Sequence, residues 1–191
     1  VALLFASFGT LSFAGMASAA EGAANADNLF ILVGTIMILA GIGFKLSLVP
    51  FHMWTPDVYE GAPAPATALL ATISKGGIFA VLLRFFLAFD GYQYSLIIES
   101  LFWIALLSIL GGNILALTQN KIKRVLAYSS IAHLGYLMVA FISASILSGK
   151  QLAIEASIFF LFAYFITTIG AFGVVAIMSR ESLEHDNDDI S

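Results

Sequence analysis

The chain has no cysteine. That absence removes disulfides, thiolate-bound zinc and cysteine-held iron–sulfur clusters from consideration, so any electron transfer coupled to this chain must happen on another polypeptide. Charge is also scarce: Asp, Glu, Lys and Arg make up 10% of the 191 residues, against about 25% in an ordinary soluble domain. With 60% hydrophobic residues and a mean hydropathy of +0.99, the sequence reads as an integral membrane protein. The formal charge of −4 says little about partners, because Glu181, Glu184, Asp186, Asp188 and Asp189 gather in one C-terminal stretch. There is no basic footprint for nucleic acid. Gly41-Ile-Gly43 lacks the third glycine of a phosphate loop and lies inside an apolar run. No hydrolytic triad is visible. His52 and His133 have no carboxylate at ligand spacing, so no metal site is expected.

What the sequence does have is length of apolar run. Leu29 to Val49, Ala64 to Phe89, Ser95 to Thr118, Val125 to Leu147 and Leu152 to Met178 each approach or exceed the ~20 residues that cross hydrocarbon as a helix. They lack the strict alternation of a transmembrane barrel. The expected fold is an all-α polytopic transmembrane helical bundle with one Pro-broken helix, forming a single membrane domain over 1–191. Residues 1–8 are expected to be the end of a preceding helix and 9–28 an interfacial loop. The alternative for this stretch is a signal peptide ending at Ala17-Ser18-Ala19; it lacks a basic n-region, and glycines interrupt its apolar run. The spans then run 29–49 (broken, continuing to about 60), 64–89, 95–118, 125–147 and 152–178, with a polar loop at 179–191. Lys121, Lys123 and Arg124 outweigh the lone Lys150 on the opposite side, so the positive-inside rule places Lys121 to Arg124 in the cytoplasm. The Pro50 to Pro63 connection falls on that same side.

Within these runs the residues that could carry chemistry are few. An ammonium at bilayer depth costs at least ~2.5–3.5 kcal/mol, so Lys45 and Lys75 each need a polar path or a partner. Pro50 removes the hydrogen bond that the Leu46 carbonyl would accept, and Pro56 does the same to His52. A broken helix in a membrane survives only when buried in protein or lining a hydrated cavity, and such breaks mark ion sites in transporters. The other reading of Lys45 is a helix that ends near Val49 with its lysine snorkelling to the interface. Lys75 follows Ala64 by eleven residues, roughly 16 Å at 1.5 Å per residue, which is mid-membrane. A lysine desolvated there can exchange protons near neutral pH, or it can be locked in a structural ion pair. Gly76 and Gly77 would let another backbone approach. Arg84 lies half a rotation from Lys75 and does not deprotonate, so it reads as a snorkelling or structural charge. His133, with Ser129, Ser130 and Tyr136 at i−4, i−3 and i+3, forms a polar arc that is either a proton relay or a hydrogen-bonded packing element. Glu99 and Glu155 near helix starts suit the dipole. Ser108, Gly112 and Ala116 read as a packing ridge.

Two segments carry a resemblance: Gly43-Phe-Lys-Leu-Ser-Leu-Val-Pro-Phe-His-Met-Trp-Thr-Pro-Asp-Val-Tyr-Glu-Gly-Ala-Pro-Ala-Pro, and Ile122-Lys-Arg-Val-Leu-Ala-Tyr-Ser-Ser-Ile-Ala-His-Leu-Gly-Tyr. Together they resemble the subunit N family of bacterial NADH-quinone oxidoreductase, respiratory complex I, over essentially the whole chain. The resemblance implies an antiporter-like, proton-translocating subunit of the bacterial inner (plasma) membrane, built from inverted repeats that each include a broken helix. It also implies that FMN, iron–sulfur clusters and quinone sit on partner subunits, with no cofactor in this chain and no direct NADH binding. In that family Lys45 is the lysine of the broken helix and Lys75 that of the next helix, both on a hydrated axis, and His133 is a relay candidate. The glutamate that partners Lys45 is expected upstream of Val1, and the lysine of the second broken helix beyond Ser191. Two competing readings are a subunit of a multisubunit cation/proton antiporter, which needs no redox partner, and a structural scaffold, which leaves two membrane lysines unexplained.

Overall fold

A computed structural model describes residues 1–16, 28–89, 92, 95–144 and 150–188. All the regular structure among them is helical: α1 Ala2–Phe8, α2 Asn28–Leu46, α3 Trp54–Gly61, α4 Ala64–Ala71, α5 Ile73–Phe89, α6 Ser95–Leu117, α7 Ile122–Ser143 and α8 Lys150–Asp188. Five helical stretches are long and apolar enough to cross a membrane: Leu29–Leu46, Ala64–Leu87, Ser95–Leu117, Ile122–Ser143 and Gln151–Ser179. Helices are the natural outcome for such runs, because in lipid each backbone polar group must be paired within its own segment.

The two places where that pairing fails organise the structure. Helix α2 stops at Leu46 in a Schellman arrangement: Ser47 turns left-handed at φ 63, its N–H donates to the Phe44 carbonyl at 3.1 Å, and the Leu48 N–H donates to Gly43 at 2.9 Å. The chain crosses 47–53 without regular helix and resumes as α3. Pro56 lies in the first turn of α3, where its missing N–H costs nothing. Contrary to expectation it does not free the His52 carbonyl, which accepts the Thr55 N–H at 3.0 Å.

The second interruption was not expected. The 64–89 span is divided at Thr72 (φ −109, ψ −84) into α4 and α5. No proline or glycine sits at that point. The Thr72 hydroxyl turns back to the Ala68 carbonyl at 2.6 Å, a local bond of the kind that competes with the helical ladder.

Helices α6 and α7 form the tightest pair. A Cβ on Gly112 would lie 2.8 Å from the Ala132 backbone nitrogen and 2.9 Å from the Tyr128 carbonyl oxygen, and one on Gly135 would lie 3.0 Å from the Ala105 carbonyl oxygen. Small residues let two backbones meet here, as the 108–112–116 ridge suggested. Around this pair, α3 packs on α7, α4 on α8, α2 on α5 and α8 on α7. The main core joins Leu46 and Leu48 at the break to Phe79, Leu82, Phe86, Leu134, Leu137 and Phe141. Edge-to-face contacts of Phe141 with Phe79 (6.0 Å) and Phe86 (4.9 Å) knit α5 to α7. A smaller cluster of Tyr59, Ala64, Ala71, Ala127 and Phe172 surrounds the second interruption.

Three expectations need correction. The stretch 179–191, read as a polar loop, is helical as far as Asp188. Charge alone does not stop a helix, and after Gly173 the sequence offers neither glycine nor proline, while good formers such as Glu181, Leu183 and Glu184 recur among its polar residues. In the expected loop 9–28, residues 13–16 make a helical turn and Asn28 already begins α2; the signal-peptide cleavage residues lie outside the described residues. Gly76 receives the Phe165 ring rather than a backbone, whose Cζ would sit 2.3 Å from an added Cβ, and Gly77 has nothing within 4 Å.

Candidate functional site

Lys75 stands on the first turn of α5, three residues after the Thr72 interruption, and is 1% exposed. Its Nζ donates to Ser130 Oγ on α7 at 2.8 Å. The Ser130 hydroxyl meets Tyr164 Oη on α8 at 2.6 Å, and Tyr164 Oη–H donates to the Ala71 carbonyl at 3.0 Å. That carbonyl is the one a continuous helix would pair with the Lys75 N–H. The break at Thr72 leaves it free, and the tyrosine takes it. On the other side the ring of Tyr59, from α3, lies 5.6 Å from Lys75 Nζ, within cation–π range. The Tyr59 hydroxyl is buried beside Ser130. Residues from four helices thus converge on one ammonium, and no carboxylate forms an ion pair with it among the described residues.

Beside this chain of bonds lies a half-open pocket of about 150 Å³, in which Ser129, Ser130, His133, Tyr164, Thr167 and Thr168 share the lining with apolar Leu126, Ala171 and Phe172. It is large enough for a few water molecules and offers the several polar partners that buried water requires. His133 projects into it with Nδ1 buried and unpaired among the described residues, its ring 5.7 Å from that of Tyr164. The polar arc read from the sequence divides in space. Ser130 faces Lys75, Ser129 and His133 face the cavity, and Tyr136 turns outward to Asn113 (3.4 Å).

Lys45 is separate. It occupies the last turn of α2, where the negative end of the helix dipole suits a cation. It is half-buried and makes no hydrogen bond or ion pair among the described residues. The structure does not join it to Lys75, although α2 packs against α5. The break beside it lies deep rather than at the membrane edge, because the Val49 N–H donates to Ser108 Oγ at 2.9 Å. Ser108 is thirteen residues into α6 and nine from its end. Trp54 Nε1 adds a bond to the Phe44 carbonyl at 3.1 Å, and its ring stacks on Phe44 at 5.5 Å.

Helix α3 is also held at its far end. Glu60 forms ion pairs with Lys121 and with Arg124 (2.9 Å), Asp57 pairs with Arg124 (2.9 Å), and Lys123 Nζ donates to the Ala62 carbonyl at 3.0 Å. Hydrogen bonds from Lys121 and Arg124 hold the Glu60 carboxyl below the usual carboxylate range. The basic cluster at 121–124 thus lies at the same end as the 57–62 segment. Arg84 is exposed, with its guanidinium over the Phe13 ring at 5.6 Å. Glu99 and Glu155 are exposed on their helices.

The sequence reading missed Tyr59, Tyr164 and the second role of Ser108. A tyrosine amid phenylalanines looks like aromatic filler, and its hydroxyl was the one available signal.

The whole chain, residues 1–191, matches the family described as NADH:quinone oxidoreductase/Mrp antiporter, TM. It is 48% identical to the NADH-quinone oxidoreductase subunit N of Methylococcus capsulatus, over 97% of this chain and 37% of that protein. It is 49% identical to subunit N of Ectopseudomonas mendocina, over 98% and 36%. The chain therefore spans a little over a third of these relatives. Among solved structures it is similar to respiratory complex I from Thermus thermophilus, with TM-score 0.69 and 34% identity over 92% of this chain and 35% of that one. An archaeal membrane-bound sulfane sulfur reductase aligns at TM-score 0.80 and 27% identity, covering 93% and 35%. The Mrp complex of a Dietzia species shares the fold, with TM-score 0.76 and 20% identity over 92% and 31%.

Proposed function

Since the chain belongs to the NADH:quinone oxidoreductase/Mrp antiporter transmembrane family, we propose that it is part of a proton-translocating membrane subunit of NADH:quinone oxidoreductase. It sits in the bacterial inner membrane among the other membrane subunits of complex I. NADH oxidation at FMN, the iron–sulfur clusters and quinone reduction belong to partner subunits. This chain's part is to move protons.

The observation that carries the reading is Lys75: a fully buried ammonium with no carboxylate ion pair among the described residues, held by one serine hydroxyl beside a helix break. Burying that charge without a counter-ion is costly, and the cost makes the charge easy to discharge. Lys75 can therefore cycle between ammonium and amine, which a lysine locked to a carboxylate does not do. Lys45 serves as the second carrier, at the broken end of α2. His133, with an open Nδ1 on a cavity able to hold water, relays between them and the next element of the path. Pro50 keeps α2 from continuing, and Pro56 starts the second half-helix.

The test is NADH-driven proton uptake into vesicles by the complete complex carrying Lys45→Ala, Lys75→Ala or Arg84→Ala at equal assembly. Either lysine variant should lose most of its pumping, with coupled electron transfer slowed alongside it, and Arg84→Ala should retain it. Normal pumping by Lys75→Ala would overturn the assignment. Sodium-driven proton exchange without any dependence on NADH would favour the multisubunit cation/proton antiporter instead.

A further inference from the structure

Among Lys75, Ser130, Tyr164 and the Ala71 carbonyl, one arrangement of hydrogens makes all three bonds. The Ala71 carbonyl has no proton to give, so Tyr164 must donate to it at 3.0 Å. The one tyrosine proton is then used, and the 2.6 Å contact is completed by Ser130 donating to Tyr164 Oη. The one serine proton is used in turn. What Ser130 offers to Lys75 at 2.8 Å is a lone pair. If the tyrosine pointed its proton at the serine instead, the Ala71 carbonyl would lose its donor.

We propose that Tyr164 is a positioning residue: by donating to the carbonyl freed at the Thr72 break, it draws the Ser130 proton to itself and leaves the serine lone pair to steady the Lys75 ammonium. The break at Thr72 is what supplies the anchoring carbonyl. This inference rests on the reading of Lys75 as a proton carrier.

The other groups near Lys75 do not supply the same bias. Tyr59 from α3 presents its ring face to Lys75 and its hydroxyl to Ser130, but it makes no bond to the Ala71 carbonyl that anchors Tyr164. His133 on α7 opens into the cavity, Lys45 on α2 makes no bond to Lys75, and α4 carries no titratable residue. Arg84 is half a rotation away on α5. Removing the tyrosine hydroxyl leaves Ser130 free to turn its proton toward the neutral amine, which weakens the preference for the ammonium.

The experiment uses the complete complex and reads NADH-driven pumping against pH for the native chain, Tyr164→Phe, Ser130→Ala, the double variant, Ser130→Thr and Lys75→Ala. The alkaline limb, where Lys75 can no longer be loaded, should move to lower pH by about one unit, a tenfold effect, in Tyr164→Phe and in Ser130→Ala. The double variant should move no further than Ser130→Ala alone, because Tyr164 acts through the serine. Ser130→Thr, which keeps the hydroxyl, should restore the native limb. An unmoved limb in Tyr164→Phe, or additive shifts in the double variant, would overturn the proposal. If Tyr164→Phe fails to assemble, the Ser130→Ala limb decides: at the native position, it sinks the idea. Unimpaired pumping by Lys75→Ala would instead sink the reading of Lys75 itself, and the two failures are thereby distinguished.

Discussion

Replacing Ser108 by alanine separates what holds the helix break from what holds the bundle. Ser108 is fully buried and has two bonds, donating to the Ile104 carbonyl of its own helix at 2.7 Å and accepting the Val49 N–H at 2.9 Å. Alanine deletes one oxygen, leaves almost no cavity and removes a residue that competes weakly with the helix. The α6–α7 pair should therefore be as stable as before. Val49 is another matter, because it lies just past the end of α2 and its N–H has no other acceptor among the described residues. Leaving such a donor unpaired costs about 1–3 kcal/mol in buried protein. Membrane hydrogen bonds average nearer 0.6 kcal/mol where the freed group finds a new partner. At 1.4 kcal/mol per tenfold, these limits correspond to roughly threefold to a hundredfold faster opening of the break. Val49 is only half-buried, so the lower part of that range is expected. Hydrogen–deuterium exchange of the assembled complex, read on a peptide covering 44–53, measures it directly, with a peptide from 131–142 as the internal reference. Exchange at 44–53 that stays within twofold of the native complex, or that rises equally in both peptides, would refute the claim that Ser108 pins the break.

Two further outcomes follow from the same geometry. An alanine at Gly112 must push its Cβ to 2.8–2.9 Å from backbone atoms of α7, and backbone cannot yield as a side-chain tip can. Gly112→Ala should therefore sharply lower subunit assembly, scored by the amount of intact complex on native gels, whereas Gly77→Ala and Gly170→Ala, with nothing within 4 Å, should assemble normally. For Glu60 the sign follows from its lowered pKa: its ion pairs contribute fully above the ordinary carboxylate range of ~4.3 and are lost as pH falls through the lower folded value. Exchange of a peptide covering 54–62 should stay protected down to about pH 4 and rise below it, with Glu60→Gln removing the dependence. A rise already complete near pH 6 would contradict the assignment.

The sequence made some of this legible and hid the rest for physical reasons. Apolar runs announce spans because lipid demands length, and a lone lysine in such a run announces itself by its cost. Lys75 was found that way, and so was the break after Lys45. Partners were not, because Ser130 and Tyr164 are separated from Lys75 by 55 and 89 positions and no periodicity links them. Their contact is decided by how α5, α7 and α8 pack. The Thr72 interruption lacks the proline or glycine that would mark it, and its hydroxyl bond to Ala68 is of a kind that unbroken helices of this chain also carry at Ser100, Ser108 and Thr167. The C-terminal helix was hidden by the opposite error: its charges suggested a loop, yet charged residues are good helix formers where neither lipid nor core excludes them. Ser108 was read for its size and turned out to matter for its oxygen as well.

The short half-helix α3 ties these features into one mechanical unit. At its start, Trp54 reaches back across the break to the Phe44 carbonyl, and Ser108 holds the intervening segment through Val49. At its end, Asp57 and Glu60 meet Lys121 and Arg124, and Lys123 takes the Ala62 carbonyl. Between these anchors Tyr59 lays its ring against Lys75 and packs edge-on to Phe172 of α8 at 5.8 Å. A segment of eight residues is too short to hold its place by helical bonding alone, so these tertiary anchors decide where it sits. The break and Lys75 are therefore joined by contacts that run through α3, although Lys45 and Lys75 make no bond to each other, and each of these attachments can be cut by a single substitution.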